Sequence, residues 1–334
     1  MKKWFLNLGN RSDDVVSTRI RIARNVKGYP FPSSMSDEQK YSLIQKVSDA
    51  LFNSEFKDEF KFIDIKKLSE QEKFSMVERH LISLDFAKFD FSQALITNLD
   101  ESVSIMINEE DHIRIQAFCS GFELEKALEN AKRVENILKK SIEFSYDEDF
   151  GFLTECPTNV GTGIRASVMM HLPVLEQMSV LDKIFNSVSK FGLTVRGTFG
   201  EGTKTKSSLY QISNQVTLGL TESELVQNLK NVVNQILDKE KQAQTNLDSV
   251  ELKDKLFRSF GELKYARLVS SSEMFSRLSD IRLAVSLGYL DVSISTLNEL
   301  LFSLGSAGVS SMFNNCLDAT TRDEKRAEII RNAI

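Results

Sequence analysis

The chain has 334 residues, of which 42 are Lys or Arg, 47 are Asp or Glu and 41% are hydrophobic, and its net charge is −5. This length predicts one large domain or two ordinary ones with a substantial core, and the acidic balance argues against a nucleic-acid-binding protein. No run of about 18 apolar residues indicates a membrane span. The three cysteines include no Cys-x-x-Cys motif, which favours a reducing, cytoplasmic compartment.

The first predicted element is a strand close to the N-terminus. Its alternation places Thr18 and Ile20 on one face, while Ser17, Arg19 and Arg21 lie on the other. Neighbouring guanidinium groups repel each other, so this pattern favours an anionic partner, and the planar fork of arginine suits carboxylates and phosphates. The alternative is a solvated basic strand face.

An acidic turn is predicted between two later strands. The segment from Met106 to Arg114 contains three consecutive acids, Glu109, Glu110 and Asp111, and alternating apolar residues precede and follow it. The turn brings Arg114 back close to the acids. This composition is typical of a functional site, although an ordinary acidic hairpin turn would have the same pattern.

Two glycine-containing segments follow. In the first, Gly161 and Gly163 precede Arg165, and in the second Arg196 is followed by three glycines with Glu201 between two of them. Glycine lets a backbone approach a ligand closely or adopt a positive φ. Neither segment is a Walker loop or a dinucleotide fingerprint, and a surface turn is the alternative for each.

Helical periodicity is frequent from residue 123 onward. It predicts a helix over 123–140 and a second helical stripe over 175–188. A strand over 209–220 is followed by a capping box, Thr221 to Glu224, that begins another helix. The polar segment 238–248 indicates a domain break near residue 245, although the end of a solvated helix is an alternative. Residues beyond it are predicted to be entirely helical.

Together these segments resemble the phosphagen (guanidino) kinases, and among them the bacterial protein-arginine kinases. The matching motifs, in the family's order, are Ser17 to Arg21, Asn108 to Arg114, Cys156 to Arg165 and Arg196 to Glu201. The resemblance implies an α+β fold. A phosphagen-kinase catalytic domain over 1–244, with an antiparallel sheet flanked by helices, would precede an all-α domain over 245–334. It also implies ATP and Mg²⁺ as cofactors, with Mg²⁺ held mainly by the ATP phosphates.

The resemblance assigns ATP contacts to four stretches of chain and one histidine. These residues are Ser17, Thr18, Arg19, Ile20, Arg21, His80, Arg114, Arg165, Ala166, Ser167, Val168, Met169, Arg196, Gly197, Thr198, Phe199, Gly200 and Glu201. Five permanent cations would then clamp the phosphates, as a lysine does in other nucleotide sites. For His80 the alternative is a partly buried histidine at a helix end.

Two carboxylates match the catalytic residues of the family, Glu110 and Glu201. A guanidinium has a pKa above about 12 and is not nucleophilic, so a base must align it and accept a proton. We expect neither carboxylate to need a raised pKa, because each must be ionised to pair with the cation. Cys156 matches a reactive thiol, for which a structural or tuning role is favoured over an essential one.

A further motif near the C-terminus matches a phosphoarginine pocket of protein-arginine kinases. On a helix, Arg322 and Arg326 are four residues apart and share a face, with Asp323 adjacent. The resemblance implies that the motif senses phosphoarginine allosterically; an ordinary charged helix is the alternative. Its residues are Arg322, Asp323, Glu324, Lys325, Arg326 and Ala327.

The function implied by the resemblance is phosphorylation of protein arginines, which marks proteins for a Clp-type unfoldase–protease during stress. The implied partners are protein substrates, a zinc-binding activator protein and further copies of the chain in a homodimer or larger homo-oligomer. Only sixteen residues precede Ser17, whereas family members that act on free guanidines carry an extra N-terminal domain. We therefore expect an open acceptor site. The alternatives are a phosphoarginine-binding adaptor or pseudokinase and a kinase for a free guanidino compound.

Overall fold

The computed structural model describes residues 2–88, 92–197, 205, 207–245, 247–313 and 316–334. The strands within these ranges are β1 Val15–Arg24, β2 Phe60–Asp64, β3 Ala94–Asn98, β4 Val103–Ile107, β5 Ile113–Ser120, β6 Tyr146–Asp147, β7 Gly151–Phe152, β8 Ile164–His171, β9 Leu193–Gly197 and β10 Leu209–Asn214. The helices are α1 Asp37–Phe52, α2 Glu70–Glu78, α3 Leu84–Lys88, α4 Leu124–Lys139, α5 Pro173–Gln177, α6 Leu181–Ser189, α7 Glu222–Gln244, α8 Val250–Tyr265, α9 Ser271–Ser286, α10 Ile294–Ser303, α11 Ser306–Met312 and α12 Ala319–Ala333.

Eight strands form one sheet in the order β2-β3-β4-β5-β1-β8-β10-β9. Each neighbouring pair is antiparallel, and β6 and β7 form a separate hairpin. The α+β class is therefore confirmed. Because β1 lies inside the sheet and pairs with both β5 and β8, its side chains have neighbours from both strands on each face.

One face of the sheet is covered by α1, α4 and α7, which enclose the main hydrophobic core. The predicted helix over 123–140 is confirmed as α4, whose buried positions repeat every three or four residues. The predicted capping box is also present, because Thr221 accepts a hydrogen bond from the backbone of Glu224 at the start of α7. Burial of each large apolar side chain contributes about 1.5–3 kcal/mol to such a core.

The other face of the sheet packs against the N-terminus and the C-terminal helices. Trp4 stacks on Phe118 of β5 with 5.3 Å between ring centroids, and Phe302 of α10 lies 5.2 Å from Trp4. The last five helices have a core of their own, which includes Leu263 of α8 and Met274, Leu278 and Ile281 of α9. Leu252 and Leu256 of α8 belong to a separate cluster with Val174 of α5. All regular structure described beyond residue 245 is helical, as predicted. The division into domains at that residue stays a prediction.

Two element boundaries differ from the prediction. The stripe over 175–188 is divided between α5 and α6, because Ser179 has a left-handed φ of 56° that ends the first helix. The strand predicted to reach Leu220 ends at Asn214. Beyond it the alternating apolar residues Val216 and Leu218 are about half exposed, so the alternation continues after the chain has left the sheet. No helix in the described ranges is long and apolar enough to cross a membrane.

A buried ion pair connects the sheet to α4. Nε of Arg24 lies 2.7 Å from Oε1 of Glu135, and both side chains are fully buried. Lys132 and Lys139 also contact this carboxylate. Burial raises the pKa of Glu135, but Arg24 and Lys132 outweigh burial and hold it at about 2. The carboxylate is therefore ionised in the folded protein at neutral pH.

Candidate active site

Five arginines share the face of the sheet that is opposite the main core. They are Arg19 and Arg21 of β1, Arg114 of β5, Arg165 of β8 and Arg196 of β9. Arg21 lies directly opposite Arg165, and Arg114 lies opposite Ala23, two residues along β1 from Arg21. Paired residues of an antiparallel sheet point to the same side, so the strand register gathers these cations on one surface.

The arginine face carries a strong excess of positive charge. Burial, together with Arg114 and Arg165, lowers the pKa of Arg19 to about 10. Burial and the same neighbours also lower the pKa of Arg21. Within the described residues neither forms an ion pair with a carboxylate, and the buried Nε of Arg21 has no hydrogen-bond partner. A ligand with several anionic oxygens would satisfy these donors and offset their repulsion.

Alternate residues of the predicted binding segments point away from this face. The side chains of Thr18, Ile20, Ala166 and Val168 lie on the core side, where the last three pack among apolar residues and the Thr18 hydroxyl donates to the carbonyl of Gly121 at 2.7 Å. These four positions can therefore contribute to a ligand site only through their backbone.

The remaining predicted positions divide into two groups. Ser17, Ser167 and Met169 line a small cavity beside Arg19 and His80. Gly197 is the last residue of β9. The predicted residues Thr198, Phe199, Gly200 and Glu201 lie outside the described residues.

His80 lies at the end of α2 in a left-handed conformation, with φ of 62°. The backbone N–H of His80 donates to Val77, and that of Leu81 donates to Met76, which is a Schellman motif with histidine in the position usually taken by glycine. Burial, Arg19 and Arg21 lower the pKa of His80 to about 3, so the imidazole is neutral. The residue is thus both a helix-end histidine and a neighbour of the arginine face.

The side chains of the acidic turn between β4 and β5 point in two directions, into the protein interior and toward the arginine face. Asp111 and His112 are fully buried. Asp111 accepts a hydrogen bond from the Asn25 amide at 2.7 Å, and Nδ1 of His112 accepts from the backbone of Val26 at 2.9 Å. Asn108 begins the turn with a φ of 61°. These residues stabilise the turn, which leaves only its first two acids facing the arginines.

Glu109 and Glu110 both pair with Arg114. Nη1 of Arg114 lies 2.7 Å from Oε2 of Glu109, and Nη2 lies 2.8 Å from Oε2 of Glu110. Ser83 donates to Glu109 at 2.7 Å. Burial raises the pKa of Glu110; Arg114 opposes this, whereas Asp111 and Glu109 add to it. We expected neither carboxylate to need a raised pKa; burial nevertheless raises the pKa of Glu110, while its pairing with a guanidinium favours the ionised form.

These groups line one open cavity of about 690 Å³. Its lining residues are Arg21, Ser33, Ser83, Asp85, Glu109, Glu110, Arg114, Glu155, Cys156 and Arg196. Sγ of Cys156 lies 3.1 Å from the Thr158 hydroxyl. The sequence prediction missed Ser33, Ser83, Asp85 and Glu155 as cavity residues. Only Glu155, next to Cys156, had a signal in the sequence; the others come from distant segments.

Comparison with known proteins assigns the family. A family model described as "ATP:guanido phosphotransferase, C-terminal catalytic domain" matches residues 42–243. A second, "Protein-arginine kinase McsB C-terminal domain", matches residues 249–334. The protein-arginine kinase of Brevibacillus brevis is 43% identical over 99% of this chain and 94% of its own length. That of Clostridium acetobutylicum is 40% identical over 99% of each chain.

The chain belongs to the protein-arginine kinases of the ATP:guanido phosphotransferase family. It is similar to the crystal structure of a lombricine kinase, with a TM-score of 0.63 and 25% identity over 74% of this chain and 73% of that one. It is thus an ATP-dependent guanidino phosphotransferase, and Mg²⁺ accompanies the ATP. Within the described residues no group of three or more His, Cys, Asp or Glu side chains forms a metal site.

The C-terminal motif lies on α12, and its two arginines have different environments. Arg326 is fully buried: Nε donates to the carbonyl of Leu304 and Nη1 to that of Val269, each at 2.8 Å, and Nη1 also pairs with Asp323. Arg322 is only half buried. Arg326 therefore connects three segments of the C-terminal helices, whereas Arg322 is the more accessible of the motif's two arginines.

Proposed function

We propose that this enzyme transfers the γ-phosphoryl group of Mg·ATP to arginine side chains of proteins. One observation carries the proposal: three of the five arginines, Arg21, Arg114 and Arg196, line one cavity together with the carboxylates of Glu109 and Glu110. Among the residues that the structure describes, Arg114 alone of the five pairs with a carboxylate. The cations suit a polyphosphate, and the carboxylates suit a guanidinium. The protein acceptor is supported by relatives named protein-arginine kinase that match the whole chain.

On the donor side, the five arginines would bind the phosphate oxygens, and Mg²⁺ would neutralise further charge on the bound ATP. The orphaned Nε of Arg21 is a buried donor that a phosphate oxygen would satisfy. His80, which is neutral beside Arg19 and Arg21, would contact the nucleotide without adding charge. The site thus holds the donor largely by fixed electrostatics.

On the acceptor side, Glu110 would align the substrate guanidinium and accept one of its protons. As the nitrogen bonds to the γ-phosphorus, the bond from phosphorus to the bridging oxygen breaks and ADP leaves. The Glu110 side chain is 42% exposed and lines the cavity, so its carboxylate is accessible to a planar guanidinium fork. Glu201, outside the described residues, is the proposed second carboxylate. We assign Cys156 a tuning role at the cavity wall.

The wider proposal concerns regulation and partners. The motif on α12 would bind phosphoarginine, with Arg322 as its accessible arginine. The enzyme would act in the cytoplasm as a homodimer or larger homo-oligomer, under a zinc-binding activator protein. Its phosphorylated substrates would pass to a Clp-type unfoldase–protease during stress. The match of residues 249–334 to the C-terminal domain of protein-arginine kinases supports the regulatory part.

The test is incubation of the purified protein with Mg·ATP and an unfolded protein acceptor, followed by mapping of phosphosites at neutral pH, because P–N bonds are acid-labile. Phosphate on arginine side chains, and none with Glu110→Gln, is the expected result. Free arginine as the better acceptor would overturn the protein substrate. Tight binding of Mg·ADP without phosphorylation of any acceptor would instead favour an adaptor.

A further inference from the structure

Glu78, the last residue of α2, connects the first part of the chain to the C-terminal helices. Its Oε1 accepts a hydrogen bond from the backbone N–H of Ala307 at 3.0 Å, and its Oε2 accepts one from Gly308 at 2.7 Å. Both donors belong to the first turn of α11, where unpaired N–H groups and the helix dipole favour a negative charge. The carboxylate of Glu78 thus caps α11 from a distant part of the chain.

The approach of Glu78 to α11 requires a glycine. A Cβ added to Gly305 would lie 2.3 Å from the Cδ atom of Glu78. The φ of Gly305 is −59°, which any residue adopts. Space for the carboxylate, rather than backbone conformation, therefore accounts for the glycine, and the Glu78–α11 contact is closely packed.

The residues immediately after Glu78 enter the active site. His80, two residues on, is held in the strained left-handed conformation next to Arg19 and Arg21. A non-glycine residue in this conformation costs about 1–2 kcal/mol and persists where its surroundings determine it. Three residues further, Ser83 donates to Glu109 of the acidic turn. A shift of Glu78 would therefore displace groups that face both substrates.

On the other side, α11 is connected to the buried arginine of the C-terminal motif. Leu304, which precedes Gly305, accepts the hydrogen bond from Nε of Arg326 at 2.8 Å. The contacts from Arg326 through Leu304 and α11 to Glu78 are continuous, and each is a hydrogen bond or a covalent neighbour. A change in the surroundings of Arg326 would thus reach the end of α2 by a short route.

We propose that Glu78 is a positioning residue through which the C-terminal helices set the geometry of His80 and so the affinity for the nucleotide. The inference rests on the proposed function only in placing His80 in the nucleotide site. It does not require phosphoarginine binding or a protein acceptor. Glu78 touches neither substrate and acts through the backbone that follows it.

The test measures Mg·ADP binding by calorimetry, a readout that needs no phosphoryl transfer, together with kcat and the KM for ATP. Glu78→Gln and Gly305→Ala should each weaken Mg·ADP binding about fivefold or more, within the usual range of coupling between sites. In Gly305→Ala with Glu78→Asp, the shorter carboxylate recedes from the new methyl group. The double variant should therefore regain at least half of the affinity that Gly305→Ala loses.

Glu72→Gln is the control, because Glu72 lies on the same helix and, among the described residues, its carboxylate accepts hydrogen bonds only from Ser69 in the cap of α2. It should leave Mg·ADP affinity unchanged. Affinity unchanged in Glu78→Gln and Gly305→Ala, even with a lowered Tm, would overturn the proposal and leave the contact purely structural. Failure of the double variant to regain affinity would also overturn it. If Glu78→Gln and Gly305→Ala lose Mg·ADP affinity but the enzyme phosphorylates only free arginine, the coupling through Glu78 is supported. The proposed protein acceptor is then refuted.

Discussion

Replacement of Glu110 by glutamine should lower the catalytic rate strongly and change the stability of the folded protein little. The Glu110 carboxylate lies 2.8 Å from Arg114, and its side chain is 42% exposed. A partly exposed ion pair contributes at most about 1 kcal/mol to folding. The amide oxygen of glutamine can still accept the hydrogen bond from Arg114. We therefore expect the free energy of unfolding to change by about 1 kcal/mol or less.

The effect on catalysis should be much larger. Proton transfer to a positioned base typically contributes about 10²–10⁴-fold to the rate, which corresponds to about 3–5 kcal/mol of activation free energy. Glu110→Gln removes the proton acceptor and the charge that aligns the guanidinium. The arginine face is unchanged, so affinity for Mg·ATP should stay within about twofold. The loss should appear almost entirely in kcat.

The assay is single-turnover formation of phosphoarginine, quantified by mass spectrometry at neutral pH, with Mg·ADP affinity measured in parallel. Glu155→Gln is the matched control: Glu155 lines the same cavity, and its Oε1 accepts from the Ser33 hydroxyl at 2.6 Å. We expect the control to retain most of the rate. A Glu110→Gln variant that keeps more than about a tenth of the rate would refute the base assignment. So would an equal loss in both variants.

Three further outcomes are expected. Because burial raises the pKa of Glu110 above its ordinary 4.5, kcat/KM should fall as pH decreases through a pKa above that value, and this acidic limb should disappear in Glu110→Gln. Arg24→Gln removes one partner of the fully buried pair with Glu135. The free energy of unfolding, measured in urea, should fall by about 3 kcal/mol, near the lower end for buried pairs, because Lys132 and Lys139 still contact the carboxylate. Arg322→Gln should reduce activation of the kinase by added phosphoarginine, measured as the ratio of rates with and without it.

Each of these outcomes has a control. An acidic limb that persists in Glu110→Gln would assign the titration to another group. Lys27→Gln disrupts an exposed pair with Glu143 and should cost less than about 1 kcal/mol; equal losses at the two pairs would contradict the argument from burial. Glu299→Gln, on an exposed part of α10 outside the motif, should retain full activation. Retained activation in Arg322→Gln would contradict the assignment of that residue to the pocket.

Local patterns in the sequence determined the elements that carry the site. The period-two alternation in β1 placed Arg19 and Arg21 on the face opposite Ile20, and the structure has this arrangement. The capping box of α7 was also predicted correctly. Such features depend on residues close together in the chain, because side-chain direction in a strand and N–H satisfaction at a helix end are local properties. The family motifs followed from the same short segments.

Only the tertiary structure decided which of these segments meet. The strand order β5-β1-β8-β10-β9 gathers arginines from four strands, and this order depends on pairing between distant segments. Tertiary hydrogen bonds from the Asn25 amide and the Glu155 backbone hold Asp111 inward and so leave Glu109 and Glu110 in the cavity, although all three residues are acids. The contact of Glu78 with α11 spans more than two hundred residues. No local propensity encodes such a contact, because it depends on how the C-terminal helices pack against the sheet.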